Sequence, residues 1–432
     1  MKRTRRGLLT LLLAGTSLAQ ISGTAMASGF ALRENSAATL GTAFAGAGSA
    51  AEDLSTIFWN PAGMTRFSGH QTQLTGTLIV PSIQFDGNGT SLGGLAPTGG
   101  GDGGDGGVAA VAPAFYGLID FSPDLKAGLA VTMPFGLMTK YDSDWVGRYH
   151  GIKSDIKSTD INPNIAYRVS NWLSVGGGVS AQYFSTEFTN AINSTAIAGS
   201  ALPDGSARFE GDDWGWGFNL GILLEPVMGT RVGVTYRSSV EHEAEGDAKF
   251  AVPAALAGAP DFQNSKATSD ATLPETVAVS LTQVLTPRLT LVSDIQWTRW
   301  SRIEDLTIRR SDGSDIDSTP MNFDDTFFFS VGGIYRATEN WTFRAGFAYD
   351  QTPVTDEYRT VRLPDEDRYL LALGATFKVS EAFQIDAGYL HYFMPDATMN
   401  KSENRDTVTG DVLSGDFSMH SDIVSLSGRL RF

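Results

Sequence analysis

Apolar and polar residues alternate along most of this chain. The last segment is the plainest: Val424, Leu426, Gly428, Leu430 and Phe432 fall on one face of an extended backbone, Ser425, Ser427, Arg429 and Arg431 on the other. Trp341, Phe343, Ala345, Phe347 and Tyr349 likewise oppose Thr342, Arg344, Gly346, Ala348 and Asp350. Leu371, Leu373, Ala375 and Phe377 oppose Ala372, Gly374, Thr376 and Lys378, and further copies begin near Leu173, Leu289 and Phe383. A period of two predicts strands, and segments of about ten residues suit a tilted strand crossing a bilayer. A half-buried strand of a soluble sandwich also alternates, but ending the chain on an exposed Phe is unfavourable unless that residue meets lipid.

Tight-turn signals stand at Ser122-Pro123-Asp124, Ser170-Asn171, Pro226 to Thr230, Thr286-Pro287-Arg288, Thr338-Glu339-Asn340 and Ser380-Glu381. Between them lie longer polar or Gly-rich stretches near 86–110, 140–155, 189–208, 246–267, 303–322, 351–366 and 395–414. The Gly-Asp stretch Gly99 to Gly107 reads as a mobile external loop, without the nonapeptide repeat of a calcium-binding array. Six turns and seven loops join fourteen strands, an even number with both chain ends on the periplasmic side. The expected fold is an all-β membrane protein, a 14-stranded antiparallel transmembrane β-barrel over 70–432. Trp172, Trp341 and Phe383 each follow a tight turn closely, where an interfacial aromatic girdle lies.

Residues 28–69 break the alternation. They are rich in Ala and Gly, with helix-like patches around Ser36 to Leu40 and Ala50 to Leu54, and end in Trp59-Asn60-Pro61-Ala62-Gly63-Met64. A fourteen-stranded lumen needs filling, and so short a segment has too little apolar content to fold alone, so it is expected to be a plug, or hatch, inside the barrel.

Lys2, Arg3, Arg5 and Arg6, an apolar run from Leu8 to Leu18, and the small-x-small site Ala25-Met26-Ala27 predict a signal peptide over 1–27, with a mature start at Ser28. Removing its four basic and no acidic residues takes the formal net charge from −16 to −20, which argues against a nucleic-acid partner. The absence of cysteine excludes disulfides and thiolate chemistry. Beyond the leader no apolar run is long enough for a membrane helix. His70, His150, His242, His391 and His420 are scattered without metal-ligand spacing, and no Gly-x-Ser-x-Gly elbow occurs. No metal, cofactor or catalytic residue is expected.

The chain resembles the FadL family of outer-membrane long-chain fatty acid and hydrocarbon transporters over essentially its whole mature length. The resemblance rests on Ser28-Gly29-Phe30, the Ala-Gly alternation from Gly41 to Gly48, and Asn60-Pro61-Ala62. Pro134-Phe135-Gly136, Leu273-Pro274-Glu275-Thr276, Trp297-Thr298-Arg299-Trp300-Ser301 and Leu363-Pro364-Asp365-Glu366-Asp367-Arg368 stand in the same order. It implies ligand captured from outside, a plug, release sideways through a gap in the wall, and mature N-terminal residues reaching into the ligand pocket.

Proline cannot donate to a strand ladder, so Pro134 marks a strand end or forces a kink, which Gly136 lets the backbone follow. A rim bulge is one reading; with the resemblance, Pro134, Phe135 and Gly136 are expected to form a lateral opening. Phe30 is a large apolar side chain near a fresh terminus and asks for a partner. Asn60 precedes a proline, is held extended, and has an amide free to bond neighbouring strands. Ser28, Gly29, Phe30, Asn60, Pro61 and Ala62 are thus the expected binding and gating residues.

The expected function is passive uptake of a hydrophobic small molecule, a fatty acid or a hydrocarbon, by a monomer surrounded by outer-membrane lipid or detergent. A general diffusion porin and a barrel lipid hydrolase are the alternatives. Basic residues to neutralise a fatty-acid carboxylate are missing from Gln182 to Ala207, and Asn322-Phe323-Asp324-Asp325 is acidic where a cation would serve.

Overall fold

A computed structural model of the chain describes residues 29–92, 94–401 and 410–432. The expected leader, and with it Ser28, lies outside the described residues. Fourteen antiparallel strands form the wall. The first five are β1 (Gln71–Ser91), β2 (Ala110–Asp120), β3 (Leu125–Thr132 and Gly136–Lys140), β4 (Lys153–Ser170) and β5 (Leu173–Ile192). Next come β6 (Gly205–Val227), β7 (Thr230–Arg237 and Val240–Ala251) and β8 (Ser265–Leu273 and Thr276–Val284). The wall continues with β9 (Leu289–Thr298 and Asp305–Arg310), β10 (Asp315–Pro320 and Thr326–Arg336), β11 (Trp341–Asp350) and β12 (Arg368–Lys378). It ends with β13 (Phe383–Phe393 and Ala397–Lys401) and β14 (Val412–Arg431). Each strand pairs with the next, and β14 returns to β1 from Gln71 opposite Arg431 to Thr90 opposite Val412, so the barrel closes and leaves no edge.

The alternation in the sequence is the alternation of the wall. Val424, Leu426 and Phe432 are exposed on the outside while Ser425 and Ser427 are buried, and Phe343, Phe347, Leu371 and Leu373 point outward while Arg344 and Ala372 point inward. Trp172, Trp341 and Phe383 are exposed beside their turns, and all six tight turns fall where the sequence places them.

Most of the long loops are shorter than expected. β5 is 20 residues and β7 reaches Ala251, well past the length a bilayer needs. The outward residues of upper β7, Glu241, Glu243, Glu245 and Asp247, are acidic and suit water, so these polar stretches continue the ladder outside the membrane. The 303–322 stretch is largely a hairpin between Asp305–Arg310 and Asp315–Pro320. Gly99–Gly107, read as mobile, is instead packed: the Asp105 carboxylate accepts from the Ile83 amide at 2.8 Å, and the Lys140 amide donates to the Gly106 carbonyl at 2.9 Å. Gly103 is needed there, because a Cβ on it would lie 2.9 Å from the Trp145 ring.

Residues 29–69 fill the lumen. Their helices are α1 (Ala37–Leu40), capped by the Ser36 hydroxyl, and α2 (Thr56–Trp59), followed by a 3-10 turn over Pro61–Arg66. The patch Ala50 to Leu54 is not helical. The Leu54 amide donates to the Gln73 side chain and the Ser55 amide to the Asp53 carboxylate, so the helix begins only after them. The segment approaches opposite sides of the wall at backbone distance. A Cβ on Gly41 would lie 2.8 Å from Gly374 of β12, one on Gly48 3.0 Å from Ser280 of β8, and one on Gly176 of β5 2.6 Å from the Ala62 nitrogen.

Candidate functional site

The site is built where β3 breaks. Thr132 faces Asp160 and Gly136 faces Lys157, so three residues of β3 stand against two of β4. The extra residue makes a bulge, and the proline inside it supplies no N–H. On the β4 side, the Ser158 amide donates to the Phe135 carbonyl at 3.0 Å and the Phe135 amide to the Ser158 hydroxyl at 2.9 Å. On the other side β2 keeps β3 only as far as Phe115 opposite Val131, and among the described residues Ala110–Ala114 pair with β1 alone. The backbone groups this frees on β3 are taken by the N-terminal segment. The Leu32 amide donates to the Pro134 carbonyl at 2.7 Å, the Gly136 amide donates to the Phe30 carbonyl at 2.8 Å, and Ala31 bridges Phe135. Pro134 thus lies in a bulge that interrupts the strand.

Three interruptions of the ladder converge on Phe30. The breaks after Thr132 in β3, after Thr298 in β9 and after Pro320 in β10 release Phe135, Trp300 and Phe323 from strict alternation and turn them inward. The Phe30 ring lies 5.1 Å from that of Trp300, edge-on, and 5.9 Å from that of Phe135; Trp300 also meets Phe323 at 6.2 Å. Gly29 carries φ +58°, and a Cβ there would strike the Trp300 ring at 2.9 Å. Its amide donates to Asp365 at 2.9 Å. Phe30 forms part of the wall of a cavity of about 260 Å³, with Leu137, Ile156, Phe184, Phe188, Met321, Phe323 and Leu363. A second cavity of about 430 Å³, more polar, lies among the loops and shares Phe188 and Arg362 with the first.

Asn60, Pro61 and Ala62 lie elsewhere, on the far part of the N-terminal segment. The Asn60 side-chain amide donates to the Gly48 carbonyl at 2.7 Å and to the Ile222 carbonyl of β6 at 3.0 Å, and its oxygen accepts from the Ala62 amide at 3.1 Å. The wall makes room with glycine: any Cβ at Gly221 would run into the Asn60 side-chain oxygen. The structure thus brings Gly29, Phe30, Pro134, Phe135 and Gly136 together and leaves the Asn60 turn as a separate dock.

One sequence expectation about charge does not hold. Asp324 and Asp325 do not line the cavity; the Asp325 carboxylate accepts from the Ser301 amide at 3.1 Å, and Phe323 faces the cavity instead. Basic side chains do reach it, but from distant stretches: Arg302, Arg309 and Arg362. The sequence reading missed these and the lining residues Phe184 and Phe188. Their signal was a pair of aromatics at i and i+4 on the inward face of β5, where a water-filled barrel carries polar residues.

Residues 18–432 match the family described as outer membrane protein transport protein (OMPP1/FadL/TodX). The chain is similar to an outer membrane protein of Neisseria meningitidis serogroup B, 31% identical over 98% of both chains. It is also similar to the long-chain fatty acid transport protein of Escherichia coli O6:H1, at 28% identity over 90% of this chain and 92% of that one. The crystal structure of a Pseudomonas aeruginosa FadL homologue superposes with a TM-score of 0.88 at 26% identity, covering 94% of this chain and all of that one. A closed, internally filled barrel with this sequence kinship leaves one assignment: the chain belongs to the OMPP1/FadL/TodX family of outer-membrane transport proteins, and is not an enzyme.

Proposed function

We propose that the chain takes up long-chain fatty acids or other small hydrophobic molecules by passive diffusion, with residues 28–69 as a hatch and the β3 bulge as a sideways exit. The observation that carries this reading is the shared backbone of Phe30 and Gly136, which joins the wall of an apolar cavity to the break in the barrel. Ligand entering from the loop side displaces Phe30. The Phe30 carbonyl and Leu32 amide then leave β3, and the gap between Ala110–Ala114 and the bulge is no longer backed by the hatch. Ligand drives this only through a higher affinity for the displaced state. A molecule leaving through the wall enters lipid without crossing water, which suits a hydrophobic cargo.

The filled lumen argues against a general porin, which must hold a continuous water column. Planar-bilayer conductance and fatty-acid uptake in a strain lacking other such transporters test the reading. Near-silent bilayers with uptake restored are expected; steady large conductance steps would favour the porin.

A further inference from the structure

We propose that the wall has a second doorway, between β8 and β9 at the outer edge of the membrane, through which an apolar molecule dissolved in the outer leaflet reaches the Phe30 cavity without passing the loops. The inference rests on the transport reading above and gives it an entrance. Two motifs still without a role, Leu273-Pro274-Glu275-Thr276 and Trp297-Thr298-Arg299-Trp300-Ser301, fold into its lower corner. From Val284 opposite Thr290 to Thr276 opposite Thr298 the two strands pair without a break, and the Arg299 amide adds one bond to the Glu275 carbonyl at 3.1 Å. The ladder resumes only where Ser269 faces Ile308. Between these points, among the described residues, no backbone hydrogen bond joins 270–274 to 300–307. Each lip keeps its other neighbour, since Asp270 to Leu273 pair with β7 and Asp305 to Ile308 with β10. The break is therefore a slot between two well-held strands.

The cavity that Phe30 borders reaches this slot. Ala271 and Thr272 line it from one lip, Ile303 and Leu306 from the other. Thr272 stands opposite Glu241 on the outward face of the wall, and Ala271 opposite His242 on the inward face. Successive residues of a strand point to opposite faces, so a cavity bordered by both passes through the wall at that edge. The height suits an entrance from lipid. Below the slot, Leu289–Thr298 supplies ten residues, about what a tilted strand needs to cross a bilayer, and Val277 and Phe327 face lipid. Beside it stand Glu241 and Glu243, which suit water. An unpaired strand edge is not tolerated deeper in the hydrocarbon, but it is tolerated at this boundary. Side chains span the slot in place of the ladder. Arg302 grips Glu275 with two nitrogens, at 2.5 and 2.9 Å, and Arg309 pairs with Asp270 at 3.0 Å. The two arginine side chains are 34% and 42% exposed, so water competes for them and the latches part without unmaking a ladder bond. The 3-10 turn Trp300–Arg302 carries both the lower latch and the ring that meets Phe30 at 5.1 Å, so the doorway leads straight to the hatch residue of the proposed route.

The chain has no cysteine, so a single thiol reports access cleanly. Leu306→Cys places it on the inner side of the slot, in the full-length protein in nanodiscs, and N-dodecylmaleimide is supplied dissolved in the disc lipid. The thiol is expected to react. Thr272→Trp, added on the outward face, should slow the reaction about fivefold by laying a ring across the slot. Arg302→Ala and Glu275→Gln, each added alone, should speed it about fivefold, roughly what the loss of such an ion pair is worth as a rate. The heat-modifiable gel shift confirms each barrel as folded, and the two unlatching variants are independent of each other. No labelling of Leu306→Cys, or one rate in all folded backgrounds, would overturn the doorway. Faster labelling by a sulfonated maleimide confined to water would overturn it too, by assigning access to the loops. Fatty-acid uptake by the same proteins is read separately: uptake absent while labelling follows the latch brings down the transport reading, whereas normal uptake with labelling blind to all three substitutions brings down the doorway alone.

Discussion

The Gly136 amide donates to the Phe30 carbonyl at 2.8 Å, so the residue that lets β3 bend also holds the aromatic that closes the cavity. Each half of that arrangement explains the other. A bulge leaves ladder groups unpaired, and a terminal segment without ladder partners supplies them.

Replacing Pro134 and Gly136 together with Val should favour a continuous β3 and remove the conformational freedom of the bulge. Uptake should fall by about tenfold, equivalent to roughly 1.4 kcal/mol on the barrier, while the barrel still shows its heat-modifiable shift. Normal uptake by a correctly assembled double variant would remove the bulge from the route.

Phe30→Ala removes a ring that is 6% exposed and touches both Phe135 and Trp300. Ligand affinity should drop, because the cavity loses part of its wall and the hatch loses its lever. If Phe30 merely packs, only stability changes, by about 3 kcal/mol or more for a buried aromatic. Affinity and thermal stability measured on the same variant separate the two outcomes.

Asn60→Ala leaves the Gly48 and Ile222 carbonyls without the side-chain donor that satisfies them, at about 1–3 kcal/mol for each buried group left unsatisfied. The variant should leak small ions in planar bilayers yet bind ligand normally, since Asn60 lies outside the cavity wall. Gly221→Val should behave alike by steric displacement of the same side chain. A silent Asn60→Ala bilayer would deny that turn its docking role.

Deleting Phe432, 71% exposed at the lipid-facing end of β14, should lower the yield of assembled barrel. The deletion removes an outward aromatic and the backbone bond from the Phe432 amide to the His70 carbonyl at 2.9 Å, which ties the last residue to the start of β1. Gel mobility before and after heating, read as the folded fraction, checks this; an unchanged folded fraction would make the terminal aromatic dispensable.

The strand count, the turns and the outward face were all legible in the residues. Alternation is a local property, and lipid on one side of a wall imposes it on every strand, so Val424 to Phe432 announces its faces without help from any other segment. Pro134 announced a break for the same reason, since a missing N–H is a property of the residue alone. What the break is joined to is not local. Nothing in Phe30 or Gly136 tells that 106 positions of chain fold back to make them partners. Trp300 and Phe323 looked like members of strands or loops until the interruptions of β9 and β10 turned them onto Phe30. Arg362 was one basic residue among 32 Lys and Arg, and its distinction is a negative one, the lack of a nearby carboxylate. Only tertiary packing decides that, because Glu275, Asp270 and Asp315 reach Arg302 and Arg309 across neighbouring strands, whereas Arg362 comes in from the loop between β11 and β12.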